Sequence, residues 1–271
     1  MGDLVLSERE LERCAEQIAG AIRSFVEDAG AAGAVMGLSG GVDSALVAYL
    51  GKEALGEDIQ ALIMPRKGVT REEDVAHAIS FAEEQGIRYR VIELSRAIEA
   101  VEEGYPDMME GEKGFLARAN LCARLRMVYN YAVANTEGLI VLGTGNRTEL
   151  MLGYFTKYGD GGADILPIGD LYKTQVRQLA CHLGIPGCIV EKPPSAGLWQ
   201  GQTDEEELGE SYENIDRVLH CVFDLGYRVD QTAEELGLDR SVVEGICHRV
   251  RSNEHKRRPP PVVRVLSNNG I

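Results

Sequence analysis

No apolar run in the sequence approaches the ~20 residues that cross a bilayer, so a membrane-spanning helix is not expected. Positive charge is scarce: 28 Lys and Arg stand against 43 Asp and Glu, a formal net charge of −15. Such a surface repels the phosphates of DNA and RNA over most of its area, so no nucleic-acid partner is expected. Cys14, Cys122, Cys181, Cys188, Cys221 and Cys247 include no C-x-x-C pair and no zinc-type spacing, which fits reduced thiols. The first ten residues lack the cationic start and apolar core of a secretory signal. A cytoplasmic setting is the expectation. Internal repeats, low-complexity tracts and dividing linkers are also missing.

What is present is ordinary globular composition, 44% hydrophobic and 26% charged over 271 residues. That suffices for one large α/β domain over residues 1–271 and leaves little room for a second catalytic domain. Ser7-x-x-Glu10 forms a capping box ahead of an apolar stripe at Leu11, Cys14, Ile18, Ile22 and Phe25, which predicts an opening helix. Short apolar runs predict buried strands at 33–38, 59–64, 88–94 and 139–142. Helical patterns cover 43–52, 70–85 (capped by Thr70-x-x-Glu73) and 115–134. After residue 173 the chain reads as helical to 251, broken by a loop at 192–202. Glu205, Glu206 and Glu207 read as a solvated helix start. Strands alternating with helices predict a doubly wound parallel sheet with helices on both faces, joined by right-handed crossovers.

Ligands in such folds bind beyond the carboxyl ends of the strands. The first strand runs into Gly37-Leu-Ser-Gly-Gly-Val-Asp-Ser44. Gly40 and Gly41 let backbone N–H groups approach an anion without a Cβ in the way. The helix that follows adds its unpaired N–H groups and partial positive charge. Ser39 and Ser44 offer hydroxyls to phosphate oxygens. Neither a Walker A loop nor the dinucleotide G-x-G-x-x-G is present. Asp43 inside an anion loop suggests an intervening cation, Mg²⁺ bridging to a nucleotide. The same aspartate suits a helix cap, and the two roles are compatible. After the fourth strand, Gly143-Thr-Gly-Asn-Arg-Thr-Glu149 leads into a glycine-rich stretch through Asp164. Its carboxylates and cations, with Lys173 beyond, suggest backbone pressed against a charged ligand. Arg147 reads as a surface residue. The basic run His255-Lys-Arg-Arg258, followed by three prolines, fits either a solvated tail or an extended segment lying back on the protein.

The Ser39 to Ser44 loop resembles the phosphate loop of the ATP pyrophosphatases, which split ATP into AMP and pyrophosphate. A narrower match follows. Phe155-Thr-Lys-Tyr-Gly-Asp-Gly-Gly-Ala-Asp164, Leu166-Pro167 and Lys173 resemble the ammonia-dependent NAD synthetase family, as do Asn120-Leu-Cys-Ala-Arg-Leu-Arg-Met127, Lys192-Pro-Pro-Ser-Ala-Gly197 and His255-Lys-Arg-Arg-Pro259. The resemblance implies a Rossmann-like, adenine nucleotide alpha-hydrolase-like sheet. It implies ATP contacts from Gly37, Leu38, Ser39, Gly40, Gly41, Val42, Asp43, Ser44, Thr144, Lys173 and Ser195. It further implies Mg²⁺ on Asp43 and Glu149, and deamido-NAD contacts from Arg124, Lys157, Asp164, His255 and Lys256. Ser195 stands where several relatives have threonine, with the hydroxyl retained. The 145–148 stretch departs from the Asp-His-Ala-Ala form of some bacterial members, so no contacts are assigned there.

The implied chemistry is adenylation of the nicotinate carboxylate of deamido-NAD, then attack by ammonia to give NAD and AMP. No covalent nucleophile is expected. With the phosphate loop beginning at residue 37, an N-terminal glutamine amidase domain is not expected, and free ammonia is the expected nitrogen source. A GMP synthetase subunit fits the loop equally well but not the 155–164 segment. A non-catalytic adenine-nucleotide module has no use for the paired carboxylates Asp43 and Glu149. Finally, apolar residues on 115–134 fall in two rows, Leu121/Leu125/Val128/Ala132 and Leu116/Ala119/Ala123/Met127. A second row asks for a second partner, either other helices of this chain or a second copy, and the family resemblance implies a homodimer.

Overall fold

The computed structural model describes residues 4–106, 111–195, 197, 199, 201 and 203–263. Ala196 and Gln202, from the segments singled out in the sequence, lie outside the described residues. Among the described residues four parallel strands form one sheet in the order β3-β2-β1-β4: β1 (Ala34–Gly37), β2 (Ile59–Ile63), β3 (Arg88–Val91) and β4 (Ile140–Leu142). All five residues of β2 are buried, as a strand covered on both faces requires. β3 stops three residues short of the expected strand. It is the sheet edge, and three of its four residues are exposed.

The helices on the sheet are α1 (Glu8–Asp28), α2 (Val42–Leu55), α3 (Glu72–Glu84), α4 (Ser95–Gly104) and α5 (Gly111–Glu137). They are followed by α6 (Arg147–Leu152), α7 (Lys173–His182), α8 (Gly187–Val190), α9 (Asp204–Leu208), α10 (Tyr212–Leu219), α11 (Val229–Leu236) and α12 (Arg240–Ser252). Strand alternation divides the core. Ala34, Met36, Ala61 and Leu142 pack against α1, α2, α3, α7 and α8, while Val35, Leu62 and Val141 face α4 and α5. The sheet is doubly wound. A third apolar cluster joins α6, α10 and α12 around Tyr172 and Leu152.

Local signals hold in most places and fail in three. The Ser7/Glu10 capping box forms on both sides. On α1 the inward stripe ends with Val26, four residues after Ile22, and Phe25 is 37% exposed. α3 has no side-chain cap and starts at Glu72, because Thr70 instead accepts the Arg66 N–H at 2.9 Å and closes the preceding turn. Of the acidic run, Glu205 accepts the Tyr212 N–H at 3.0 Å and Glu207 accepts the Tyr154 hydroxyl at 2.8 Å. These carboxylates tie α9 to its neighbours and are not merely solvated.

Candidate active site

The strand order reverses between β1 and β4, the place where a doubly wound sheet leaves a crevice beyond its strand ends. The 37–44 loop leaves β1 and the 143–149 loop leaves β4, so both flank that crevice. A cavity of about 540 Å³ opens there. All expected ATP positions except Gly40 line it, from Gly37 through Ser44 to Thr144, Lys173 and Ser195, and Glu149 joins them.

The loop is held by its own side chains. The Ser39 N–H donates to Ser44 Oγ at 3.1 Å, and Ser44 Oγ donates to the Gly41 carbonyl at 3.0 Å. Gly40 has φ +78°, and a Cβ there would lie 2.4 Å from the Asp74 carbonyl oxygen. Only glycine fits. The loop delivers α2 with no side-chain cap at Gly41, leaving first-turn N–H groups for an anion.

Asp43 sits in that first turn and meets two partners. Lys173 Nζ pairs with its Oδ2, and Asn146 Nδ2 donates to its Oδ1 at 2.8 Å. Lys173 also reaches Glu149 Oε1 at 3.5 Å and lies 5.3 Å from the Tyr212 ring centroid. Its side chain is 3% exposed. Burial alone would push the Lys173 ammonium down, but the charges of Asp43 and Glu149 overcome it and the net shift is upward. Glu149 is pushed up to about 8, by burial first and by the charge of Asp43 second, with Lys173 opposing. Two carboxylates therefore converge on a single ammonium, which cannot offset both when both are ionised.

Asn146 is the residue that sequence reasoning left unassigned. It caps α6 by a reciprocal box with Glu149: the Glu149 N–H donates to Asn146 Oδ1 at 3.0 Å, and Glu149 Oε2 accepts the Asn146 N–H at 3.3 Å. The signal was legible as Asn-x-x-Glu, a capping box directly after a strand. Arg147 is no plain surface residue. It pairs with Asp170 at 2.6 Å and with Asp224, and stacks 5.0 Å from the Tyr172 ring centroid.

At the other rim, Asp74 takes Lys192 at 2.7 Å and Arg71 at 2.9 Å. Its partial burial raises the carboxyl pKa, but the hydrogen bonds from Lys192 and Arg71 outweigh that and the net shift is down.

Of the residues expected to hold deamido-NAD, Lys256 alone lines this cavity. Its Nζ donates to the carbonyls of Gly153 at 2.7 Å and Phe155 at 3.0 Å. Arg257 donates to the Met151 carbonyl at 2.5 Å and to the Val250 carbonyl at 2.8 Å. The basic run thus lies back on the end of α6, where cations suit the helix dipole. Arg124, Lys157 and His255 form a separate chain: Arg124 Nη2 donates to the Lys157 carbonyl at 3.4 Å, and Lys157 Nζ donates to the His255 carbonyl at 2.9 Å. Asp164 extends the sheet edge, accepting the Val141 N–H at 2.8 Å and the Tyr131 hydroxyl at 2.9 Å.

The model of the NAD synthase family matches residues 14–260. This chain belongs to the NAD synthase family. It is 51% identical over 255 residues to the NH(3)-dependent NAD(+) synthetase of Archaeoglobus fulgidus, covering 94% of this chain and 97% of that one. It is 47% identical over 257 residues to that of Hyperthermus butylicus, with 94% and 92% covered. Among solved structures, NMN synthetase from Francisella tularensis superimposes with a TM-score of 0.82 at 34% identity, over 96% of this chain and 99% of that chain. The NH3-dependent NAD synthetase from Campylobacter jejuni, in complex with the nitrate ion, gives 0.79 at 29% identity, over 94% and 99%. Family membership accounts for the loop, the 155–164 segment and the basic run on one chain.

Proposed function

We propose that this chain catalyses the ATP-dependent amidation of deamido-NAD by free ammonia, yielding NAD, AMP and pyrophosphate through an acyl adenylate. The observation that carries the reading is the convergence of Asp43, Glu149 and Lys173 on an uncapped helix N-terminus at the sheet's switch point. A carboxylate is a poor acyl donor, because its leaving group would be oxide. Attack of the nicotinate carboxylate oxygen on the α-phosphorus forms an O–P bond as the bond to pyrophosphate breaks, and the acyl adenylate so formed carries AMP as a good leaving group. The N–H groups and hydroxyls of the 39–44 loop receive the pyrophosphate, and Lys173 offsets charge developing on the phosphates. Ammonia then bonds to the acyl carbon, the bond to AMP breaks, and the nitrogen loses a proton. Positioning and charge stabilisation supply the rate without a covalent enzyme intermediate.

The donor set fits Mg²⁺. Among the described residues no group of three His, Cys, Asp or Glu converges as a metal cage. Asp43 and Glu149 give two carboxylates that one ammonium cannot offset when both are ionised, which suits a hard cation that would complete its shell with phosphates and water. Bound there, Mg²⁺ would neutralise phosphate charge. Lys256 and the Arg124–Lys157–His255 chain, with Asp164, are assigned to deamido-NAD, and residues 1–271 to a single catalytic domain. Among the described residues no helix is long and apolar enough to cross a membrane, and a cytoplasmic homodimer is the assembly assigned.

Purified protein given ATP, ammonium and deamido-NAD should form AMP and pyrophosphate in step with NAD. ADP and orthophosphate as products would overturn the mechanism. XMP or the deamidated mononucleotide as the preferred acceptor would overturn the substrate.

A further inference from the structure

Asp216 lies on α10, outside the cavity, and is fully buried. Each of its carboxylate oxygens takes a donor from a different helix. Thr148 Oγ1, near the start of α6, donates to Oδ1 at 2.5 Å. The backbone N–H of Thr174, in the first turn of α7, donates to Oδ2 at 2.8 Å. Thr148, itself fully buried, then accepts the Lys173 N–H at 2.9 Å. Two side chains and two backbone N–H groups thus form a closed relay between the N-termini of α6 and α7. Its two ends adjoin the reacting site in the chain: Glu149 follows Thr148, and Lys173 precedes Thr174.

We propose that Asp216 and Thr148 are positioning residues that set the separation of Lys173 from Glu149, and through Lys173 that of Asp43. The inference rests on reading the cavity as the ATP site. Packing alone does not call for this relay, since a well-packed apolar pair often holds two helices as well as a buried polar one. A carboxylate accepting a fixed N–H from α7 and a hydroxyl from α6 adds direction: it fixes how far α7 rotates and slides against α6. It also satisfies two first-turn N–H groups of α7, one directly and one through Thr148. The α7 start carries Lys173, whose amine must reach two carboxylates on different elements. A displacement of about 1 Å at such a contact costs on the order of 100-fold in rate.

The test is steady-state kinetics of the full-length protein with Mg²⁺, ATP, ammonium and deamido-NAD, comparing Thr148→Val, Thr148→Ser, Asp216→Asn and the Thr148→Val/Asp216→Asn pair. Melting temperature is recorded for each. Thr148→Val and Asp216→Asn are expected to lower kcat by roughly 10- to 100-fold. The KM for deamido-NAD should stay within about twofold, and Thr148→Ser should restore most of the kcat because it keeps the hydroxyl. The paired variant should be no slower than the slower single, since the two residues act as one relay. Parental kcat in a folded Thr148→Val, losses that multiply in the paired variant, or failure of both singles to fold would each overturn the proposal. Lys173→Met is the control for the underlying reading. If it retains turnover, the site assignment fails; if it is inactive while Thr148→Val is not, only the relay fails.

Discussion

A buried ammonium is tolerated only when its charge is met, and Lys173 is met twice, by Asp43 and by Glu149. Those two carboxylates also repel each other, which is why burial and the neighbouring charge lift Glu149 to about 8. In the proposed function, a bound phosphate and cation would complete the arrangement. Asp43→Asn and Glu149→Gln should therefore each lower turnover on the order of 100-fold or more with the fold intact. Near-parental turnover with unchanged Mg²⁺ dependence in either variant would return that residue to a capping role. Asp216 allows a second prediction, in stability. Burial raises its carboxyl to about 6, with the Thr148 and Thr174 hydrogen bonds opposing. In an unfolded chain an aspartate titrates near about 3.9. The folded value is the higher one, so the stability linked to its proton is fully present below about 4 and is lost as pH rises through about 6. The Tm of the parent relative to Asp216→Asn should thus rise as pH is lowered from about 7.5 to about 4.5. Scanning fluorimetry across that range checks it, and a flat difference would mean that Asp216 titrates as an ordinary carboxyl.

At the scale of elements, the site is made by where helices start. α2 opens uncapped at Gly41 to face an anion, while α6 opens on Asn146, which both caps its helix and holds Asp43. Those two tasks can be separated. Asn146→Ala should cost about 1 kcal/mol of stability, the usual loss for a helix cap. For a chain of this size that is a fall of roughly 2–4 °C in Tm. Asn146→Ser keeps a capping oxygen but removes the amide donor to Asp43, so Tm should recover while kcat does not. Recovery of both by Ser would show that capping is the whole role of Asn146. The reasons that Asn146 escaped the sequence reading, while Asp43 did not, are physical. Strands, their order of appearance and the phosphate loop show as apolar runs ending in glycine, because a buried parallel strand and a close anion approach both restrict composition locally. Asp43 stood out as a negative charge in an anion loop. Asn146 is an unexceptional turn residue until β4 brings it beside α2, and Asp216 is one acid among 43 Asp and Glu until α10 folds over α6 and α7. Thr70 shows the converse. Its capping pattern was visible, but the turn from Arg66 claimed the hydroxyl.

Across the whole molecule the net charge is −15, yet Arg71, Arg126, Lys173, Lys192 and Lys256 all line the cavity. Asp43, Asp74, Glu149, Asp160, Asp204 and Glu207 line it too, so the cavity is close to charge balance while the chain as a whole is strongly acidic. Helix α5, whose Asn120, Ala123, Arg126 and Met127 line the cavity, also carries the two apolar rows. Its Ala119 and Ala123 are buried, and the 155–162 segment covers that row: a Cβ on Gly159 would lie 3.1 Å from Ala123, and one on Gly162 would lie 2.9 Å from Met127. The same chain thus covers Ala119, Ala123 and Met127 of one row, while Leu116 is 57% exposed. In the other row Leu121 and Leu125 pack in part against the core beneath α5, and Val128 is 51% exposed. Arg124 sits four residues before Val128, so the two share one face of the helix, and Arg124 begins the chain of contacts through Lys157 to His255. A twofold contact through this row would bury Val128 against a second copy and bring the Arg124 chain to the edge of the interface. Val128→Glu should then shift the protein from dimer to monomer in light scattering during size exclusion. Because Arg124 of the proposed deamido-NAD residues shares this face, its KM for deamido-NAD should rise several-fold while that for ATP changes less. A fully active parental monomer at assay concentration, or a dimeric Val128→Glu with parental constants, would remove α5 from the interface and leave its exposed Val128 unexplained by assembly.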